Sequence, residues 1–228
     1  MTSAYIDAQE PVPAAGVYPP QHDSHLLIEA MTDAGLPAGK RVADLCTGSG
    51  IVAIAAADAG ATEVKAFDVC PQAVRFARAN ALGTCVDVRL GSWSRAVEFG
   101  PFDLVVVNPP YVPEGPVDDS AGIPAVAGPP RAWNAGPDGR LVLDPLCASA
   151  PLLVADGGTL LVVQSEFAGI ADTVRSLHAT GMRAEVVAQQ LIPFGPVMTA
   201  RAEWLERRGL LSPGRRVERL AVIRADAP

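Results

Sequence analysis

The chain has 228 residues, of which 49% are apolar, and a formal net charge of −7. This length and composition are typical of a folded protein with its own core and exclude a largely disordered chain. We expect a cytoplasmic protein, since no apolar run is long enough to span a membrane and no signal-peptide pattern opens the chain. Acidic residues dominate residues 1–200, whereas residues 201–228 hold seven arginines and four acids. An acidic body argues against a broad, sequence-independent grip on nucleic acid.

The hydrophobic pattern alternates between strand-like and helix-like segments through most of the chain. After an extended, proline-rich arm over residues 1–22, apolar residues at helical spacing predict helices over residues 23–35, 49–60, 71–83, 140–158, 168–181 and 199–209. Short apolar runs predict strands over residues 41–46, 63–69, 85–90, 102–107, 159–165, 183–191 and 216–224. This alternation implies an α/β fold whose largely parallel sheet is covered by helices on both faces.

Two segments depart from a simple alternation of strands and helices. Residues 108–139 are rich in proline and glycine and are too long for an ordinary connection, so we expect a functional loop or lid there. Residues 193–213 contain a helical insert that can be a lid, a partner surface or a decoration. We therefore predict an arm over residues 1–22 and a single domain over residues 23–228 that carries both segments.

The turn between the first strand and the first helix reads DLCTGSGI, residues 44–51. Gly48 and Gly50 let the backbone bend sharply and approach a ligand, and the helix that follows offers free N–H groups to an anion. About twenty residues further on, Asp68 ends the second strand, at the spacing where an acid meets a ribose diol. The two motifs together indicate an adenosine-type cofactor, although a tight loop and a helix-capping aspartate would look the same.

The fourth predicted strand ends abruptly in Asn-Pro-Pro-Tyr, residues 108–111. A planar nitrogen is a poor nucleophile, and a catalyst helps by accepting hydrogen bonds from its N–H groups and holding it in line with an electrophile. The Asn108 oxygen and the Pro109 carbonyl are two such acceptors, Pro110 has no N–H to compete for that carbonyl, and Tyr111 offers a flat face. This combination favours methyl transfer from a sulfonium donor, against the alternative of a rigid turn that merely ends a strand.

The four cysteines do not suggest a metal site. They are far apart in the chain, without a C-x-x-C pair, and only three histidines accompany them. We expect reduced thiols and no zinc in this chain.

With these motifs the sequence resembles the HemK/PrmC-like class of S-adenosylmethionine-dependent methyltransferases, which combine a glycine-rich first turn with N-P-P-Y after the fourth strand. It is most similar to the short branch without an N-terminal helical domain. VYPPQHDSHLL, residues 17–27, resembles that branch's entry segment, and RAWNAGPDGR, residues 131–140, resembles its R-A-W-x-G-G-x-D-G-R stretch.

The resemblance implies a Rossmann-like, seven-stranded class I methyltransferase sheet with the last strand antiparallel. It also implies methylation of a glutamine side-chain nitrogen, with Asn108, Pro109, Pro110 and Tyr111 holding the target amide. The positions that it assigns to the cofactor are Asp23, Ser24, Asp44, Cys46, Thr47, Gly48, Gly50, Asp68, Val69, Ser92, Trp93 and Asn108.

Three departures from the family pattern stand out. Cys46 occupies the position of a glycine in many methyltransferases, and Ser92 replaces an acid expected at the adenine amine, so we expect weaker cofactor binding. The insert is longer than the corresponding connection in relatives.

The family's acceptor is the Gly-Gly-Gln loop of a peptide-chain release factor, and short-branch relatives sometimes work with a small zinc-binding activator subunit. A small-molecule N-methyltransferase and an adenine-N6 nucleic-acid methyltransferase remain alternatives, because adenine poses the same planar-nitrogen problem. The acidic body makes nucleic acid the less favoured acceptor. A cofactor-binding regulator without turnover is a further alternative, which the intact Asn-Pro-Pro-Tyr disfavours.

Overall fold

The computed structural model describes residues 17–115 and 123–228. All seven predicted strands are present: β1 (Arg41–Leu45), β2 (Glu63–Asp68), β3 (Val86–Leu90), β4 (Phe102–Val107), β5 (Val154–Ser165), β6 (Arg183–Pro193) and β7 (Val217–Asp226). They form one sheet in the order β3-β2-β1-β4-β5-β7-β6. The first five strands are parallel, and β7 is antiparallel to both β5 and β6. The prediction of a mostly parallel seven-stranded sheet with an antiparallel last strand is confirmed.

Helix α1 (His22–Asp33) precedes β1, and the helices between the strands are α2 (Ile51–Asp58), α3 (Pro71–Asn80), α4 (Trp93–Ala96), α5 (Leu143–Leu153), α6 (Ile170–Ala179) and α7 (Pro196–Arg207). The order of strands reverses beside β1, so right-handed crossovers place the helices on opposite faces of the sheet. Helix α4 was not predicted, because four residues are too few to show a helical period.

The predicted boundary between the fourth long helix and the fifth strand is wrong. A helix was expected over residues 140–158, but α5 ends at Leu153 and β5 begins at Val154. Val154 pairs with Phe102 and Thr159 pairs with Leu104, so β5 carries a bulge between them. Strand pairing there overrides local composition, since the Asp-Gly-Gly of the bulge has no strand pattern of its own.

The central strands explain why the chain carries near-continuous apolar runs. In β4 every residue except Asp103 is buried, and β5 is buried from Gly158 to Ser165. Both faces of these strands are covered, so neither shows the alternation expected of a half-exposed strand. The edge strand β6 does alternate in its first half, since only one of its faces is packed.

The register of the central strands sets the place of the candidate site. Leu45 at the end of β1 pairs with Phe67 of β2 on one side and with Val107 of β4 on the other. The turns after these three strands therefore start at the same edge of the sheet, at the point where the strand order reverses. Ligands of open α/β sheets bind at such a switch point.

Parts of the predicted arm and loop lie outside the described residues, namely residues 1–16 and 116–122. The rest of the loop contains two short 3-10 turns, Ala125–Ala127 and Pro130–Ala132. Val112, just after the Asn-Pro-Pro-Tyr turn, forms an isolated parallel bridge with Asn134. The part of the loop around Asn134 is thereby held beside the end of β4.

Candidate active site

A cavity of about 450 Å³ lies at the carboxyl ends of β1, β2 and β4. This volume is within the range of about 300–1,000 Å³ that small-molecule and cofactor sites occupy. The sequence-predicted residues that line the cavity are Asp23, Ser24, Asp44, Cys46, Thr47, Gly48, Asp68, Val69, Ser92, Trp93, Asn108, Pro109, Pro110 and Tyr111.

Gly50 is the predicted site residue that does not line the cavity. It precedes α2 with φ of 85°, and a Cβ built on it would meet the Cβ of Ala77 at 3.2 Å. The glycine therefore allows α2 to start beside α3, which is a packing role.

The turn after β1 is closed by the buried carboxylate of Asp44. Its Oδ2 accepts hydrogen bonds from the Thr47 hydroxyl at 2.5 Å and from the Ala53 N–H at 3.1 Å. Burial raises the pKa of Asp44 to about 7, although these two hydrogen bonds favour the charged form. The side chain fixes the shape of the turn, and in its ionised form it adds negative charge to the cavity.

Cys46 has a left-handed backbone conformation, with φ of 59°. This is the conformation that glycine adopts without penalty, so glycine would fit this position without backbone strain. Burial also raises the pKa of the Cys46 thiol, so the sulfur is a packed, neutral group.

Substitution of Cys46 is expected to separate backbone strain from side-chain contacts. The left-handed conformation costs about 1–2 kcal/mol for a residue with a Cβ, while glycine loses about 0.5–1 kcal/mol through backbone entropy. Cys46→Gly should therefore change the free energy of unfolding by less than about 1 kcal/mol. Cys46→Val should destabilise by about 2 kcal/mol or more, because a β-branched residue tolerates positive φ least. Urea denaturation measures both, and equal stability of the two variants would contradict the strain argument.

Asp68 stands at the end of β2, facing the turn after β1. Its Oδ2 accepts from the Gly48 N–H at 2.9 Å and its Oδ1 accepts from the Cys70 N–H at 2.8 Å. Burial raises its pKa. A carboxylate has about four lone-pair sites, so two remain that can accept the hydroxyl groups of a ribose.

The charge of the cavity fits a cationic cofactor. Three lining carboxyl groups, those of Asp23, Asp44 and Asp68, face one lining arginine, Arg131. S-adenosylmethionine carries a sulfonium and an ammonium group beside its ribose and adenine, and this set of acceptors fits it. Asp68 can hold the ribose, and the other two acids can attract the charged end.

The Asn108 side chain is oriented by the first helix. Its Nδ2 donates to the Ser24 hydroxyl at 3.2 Å, and among the described residues no hydrogen bond uses its Oδ1. The Pro109 carbonyl also accepts no hydrogen bond within that part of the chain. Two oxygens on consecutive residues are thus left to accept N–H groups from a ligand.

Asp23 connects the entry segment to the end of β4. Its Oδ1 accepts from the Ser24 N–H at 2.7 Å, and its Oδ2 accepts from the Tyr111 hydroxyl at 3.0 Å. Burial and the charge of Asp23 raise the pKa of Tyr111, so the phenol stays protonated and donates. The sequence placed Asp23 and Ser24 beside the cofactor. The structure puts them on the cavity wall and also in contact with Asn108 and Tyr111.

Ser92 and Trp93 lie at the far end of the cavity, where β3 leads into α4. The Ser92 hydroxyl shares a hydrogen bond of 2.7 Å with the Ser94 hydroxyl. Ser92 follows Gly91 directly, so this end of the cavity presents a hydroxyl and no carboxylate at that position.

Several lining residues were not predicted as site residues, and one group of them, which includes Arg131 and Trp133, comes from the loop that follows residue 122. Arg131 donates to the Cys70 sulfur at 2.9 Å, next to Asp68. Trp133 is buried and lines the cavity beside Tyr111. The signal for both was the R-A-W stretch at residues 131–133, which carries no chemistry that sequence alone could place.

Comparison with known proteins finds similarity to methyltransferases. The family model for the methyltransferase small domain matches residues 20–143. A protein of Methanocaldococcus jannaschii with the provisional name protein N5-glutamine methyltransferase is 30% identical over 193 residues, which cover 82% of this chain and 91% of the relative. A release factor glutamine methyltransferase of Mycolicibacterium smegmatis is 36% identical over 182 residues, covering 76% of this chain and 63% of the relative.

A solved structure of similar fold is the E. cuniculi Mtq2–Trm112 complex, which is described as responsible for methylation of the eRF1 translation termination factor. One of its chains matches with a TM-score of 0.63 at 19% identity, covering 93% of this chain and 99% of that one.

These matches differ in how much of each relative the chain covers. The chain spans nearly the whole length of the M. jannaschii protein but less than two thirds of the M. smegmatis enzyme. Among the described residues no helix is both long and apolar enough to cross a membrane. On the match over residues 20–143, the fold and the motifs at the carboxyl edge of its sheet, this chain belongs to the methyltransferase small domain family.

Proposed function

We propose that this protein transfers a methyl group from S-adenosylmethionine to the side-chain nitrogen of a glutamine in another protein, such as the Gly-Gly-Gln loop of a peptide-chain release factor. The observation that carries the proposal is the orientation of Asn108. Its Nδ2 is held by Ser24, which leaves Oδ1 beside the Pro109 carbonyl to accept hydrogen bonds. The names of the M. smegmatis and M. jannaschii relatives support a glutamine acceptor.

The two acceptors match the donors of a primary amide. A glutamine Nε2 carries two N–H groups, and both are engaged when Asn108 Oδ1 and the Pro109 carbonyl accept them. The nitrogen is then fixed in orientation, with its remaining direction of attack toward the cavity. Proximity and alignment of this kind can account for a large share of a methyl-transfer barrier.

S-adenosylmethionine supplies an electrophilic methyl group on a sulfonium when it is bound. Asp68 would accept hydrogen bonds from the ribose hydroxyls, and Asp44 and Asp23 would favour the positive end of the cofactor by their charge. Tyr111 is held by Asp23 and presents its ring to the planar amide. The new bond from nitrogen to the methyl carbon would form as the bond from that carbon to the sulfonium sulfur breaks. No strong base is required, because the N–H becomes acidic once the nitrogen gains this bond and its proton can pass to water.

The loop after residue 122 and helix α7 act together as a lid over the acceptor end. Arg201 of α7 donates to the Pro113 carbonyl at 2.5 Å and to the Asn134 Oδ1 at 2.6 Å, and its guanidinium lies 4.7 Å from the centroid of the Trp133 ring. The insert is thereby fastened to the segment that follows Asn-Pro-Pro-Tyr. We include both segments in a single methyltransferase domain over residues 23–228.

A small zinc-binding activator subunit is a further element of the proposal. The E. cuniculi structure of similar fold is a complex of two proteins. Here the edge strand β3 ends in Leu90, 43% exposed, and Leu82 after α3 is 82% exposed. Apolar groups beside an unpaired strand edge are suited to contact another chain.

Mass spectrometry of a purified release factor tests the function directly. Incubation with this protein and S-adenosylmethionine should add one methyl group to the Gly-Gly-Gln glutamine. A release factor whose glutamine is replaced by asparagine serves as the matched substrate control, since it keeps the amide but shortens its reach. If no methylation occurs with or without an activator subunit, although the cofactor binds, the glutamine acceptor is wrong and small-molecule amides or adenine become the acceptors to test.

Substitution of Ser92 by an acid is expected to increase the affinity for the cofactor. Ser92→Asp restores an acid that can accept from the adenine amine, and a charged acceptor is worth about 1 kcal/mol more than a neutral one, or about fivefold in affinity. Ser92→Ala should weaken binding by a few fold through loss of the hydroxyl acceptor. Calorimetric titration with S-adenosylhomocysteine measures both, and unchanged affinity in the two variants would remove Ser92 from the adenine site.

A further inference from the structure

A second cavity of about 220 Å³ lies on the other side of Tyr111 from the cofactor cavity. Part of its wall comes from the insert, through residues 193–198 at the start of α7. Its mouth is marked by the exposed residues His22, Pro193 and Pro196, whereas Glu218 and Leu220 at its other end are buried. No step of the proposed methyl transfer uses this space.

The two cavities share a wall. Five residues line both of them: Tyr18, Asp23, Tyr111, Val112 and Trp133. An amide held by Asn108 and Pro109 is therefore separated from the second cavity by little more than the Tyr111 and Asp23 side chains. Neighbouring residues of an extended peptide are about 3.3–3.6 Å apart along the chain, so a residue close to the methylated glutamine can reach the second cavity.

The lining of the second cavity combines aromatic walls with carboxylates. Four aromatic rings contribute to it: Tyr18, Tyr111, Trp133 and Phe194. Two carboxyl groups, those of Asp23 and Glu218, line it with relative exposures of 4% and 5%. Among its described lining residues there is no lysine or arginine. Aromatic faces and a buried carboxylate are the two features that attract an organic cation.

Glu218 is short of positive partners within the described fold. Its Oε2 accepts from the Ser165 hydroxyl at 2.5 Å, and no described salt bridge includes it. Arg215, the cation that acts on it, is ion-paired with Glu166 instead. Burial, together with the charge of Asp23, raises the pKa of Glu218 to about 7, although the hydrogen bond from Ser165 favours the charged form. A cation entering the cavity would favour the charged form of Glu218 and so oppose both effects.

We propose that the second cavity binds a lysine or arginine side chain of the substrate protein, located a few residues from the methylated glutamine, with Glu218 as its counter-charge. The inference rests on the proposed function and deepens it, since it defines the class of sequence that the enzyme accepts. A bound metal ion is disfavoured as the occupant, because no group of three or more histidine, cysteine or acidic residues in the described part of the chain is arranged to hold one.

Paired peptides test this cavity. Each peptide contains Gly-Gly-Gln. One residue is varied at a time, at one of the three positions before or the three positions after this motif, and it is either lysine or the uncharged norleucine. Binding is measured by calorimetry in the presence of S-adenosylhomocysteine, and methylation is measured separately. At one position the lysine peptide should bind about tenfold more tightly than its norleucine partner, as expected for a desolvated cation with aromatic and acidic neighbours.

Two glutamate variants distinguish a contact of the lysine with Glu218 in the cavity from a general effect of negative charge on the protein. Glu218→Gln keeps the shape and a hydrogen bond to Ser165, and it should reduce the lysine preference to less than twofold without changing the binding of the norleucine peptide. Glu203→Gln removes the same charge from the exposed face of α7 and should keep the preference. If Glu218→Gln does not fold, Pro196→Lys puts a competing ammonium at the exposed mouth and should lower the preference.

The outcomes keep this inference distinct from the proposed function. Preferential binding of one lysine peptide, without methylation either in the presence or in the absence of an activator subunit, supports the cavity and refutes the glutamine acceptor. Methylation without a lysine preference at any position supports the acceptor and overturns the cavity proposal. Equal binding of every lysine and norleucine pair overturns the cavity proposal whether or not methylation occurs, and so does a preference that survives Glu218→Gln.

Discussion

Asn108→Ala is expected to reduce the rate of methyl transfer by about 10²–10³, the range found when one preorganised hydrogen-bonding group is removed from a reacting centre. Alanine removes the Oδ1 acceptor, so the glutamine nitrogen keeps one of its two anchors and can rotate away from the line of attack. Single-turnover kinetics with a Gly-Gly-Gln substrate measures the chemical step, and titration with S-adenosylhomocysteine measures cofactor affinity. The loss should fall mainly on the chemical step.

Ser24→Ala is the matched companion variant, because it leaves Asn108 in place and removes the hydroxyl that orients it. Without that acceptor the Asn108 amide can rotate by half a turn and present its Nδ2 to the substrate. A smaller loss of methyl-transfer rate, about tenfold, is therefore expected. An equal loss in both variants, or a loss in Asn108→Ala that lies wholly in cofactor affinity, would show that Asn108 does not hold the acceptor amide.

Most of the sheet could be predicted from the sequence because its central strands are buried on both faces. A run such as residues 102–107 has no helical period and is too short for a helix, so its assignment was secure. The bulge in β5 could not be predicted, since it arises from pairing with β4 through Phe102 and Leu104 rather than from local preference. Helix α4 was missed because a single turn carries no period.

The candidate site was predictable where backbone chemistry is unusual and less so where it depends on long-range contacts. Positive φ, proline and a strand-end acid leave marks in the sequence, and these led to Gly48, Asp68 and Asn108. The contacts of Asp23 with Tyr111 and of Ser24 with Asn108 join residues more than 80 positions apart, at separations that no local pattern encodes. Gly50 illustrates a related limit, since a glycine that contacts Ala77 and one that lines a cavity look alike in sequence.

The second cavity shows the same limit more strongly. Glu218 lies on β7 and Phe194 lies before α7, and neither residue carries a motif. Their association with Tyr111 follows from the position of β7 between β5 and β6 and from the fastening of the insert by Arg201. The sequence indicates a helix within residues 193–213, but it does not show that this segment lines a cavity.

Asp68→Asn is expected to weaken binding of S-adenosylhomocysteine by about 10–100-fold, because charge-assisted hydrogen bonds are worth about 1.5–3 kcal/mol. Asparagine keeps one oxygen, which can still accept from the Cys70 N–H, but its amide nitrogen cannot accept from a ribose hydroxyl or from the Gly48 N–H. Calorimetric titration measures the dissociation constant. The matched control is Asp87→Asn on β3, whose carboxylate pairs with Lys65 and Arg89 and does not line the cavity.

A ligand that lacks one ribose hydroxyl distinguishes direct contact of Asp68 with the ribose diol from an effect of the substitution on the turn after β1. The 2′-deoxy analogue of S-adenosylhomocysteine should bind more weakly than the parent to the unsubstituted protein, since one hydroxyl partner of Asp68 is lost. In Asp68→Asn the same deletion should cost little, because that hydrogen bond is already absent. If the deletion costs the same in both proteins, Asp68 acts on the cofactor only through its bonds to Gly48 and Cys70, and the ribose must be bound by another group.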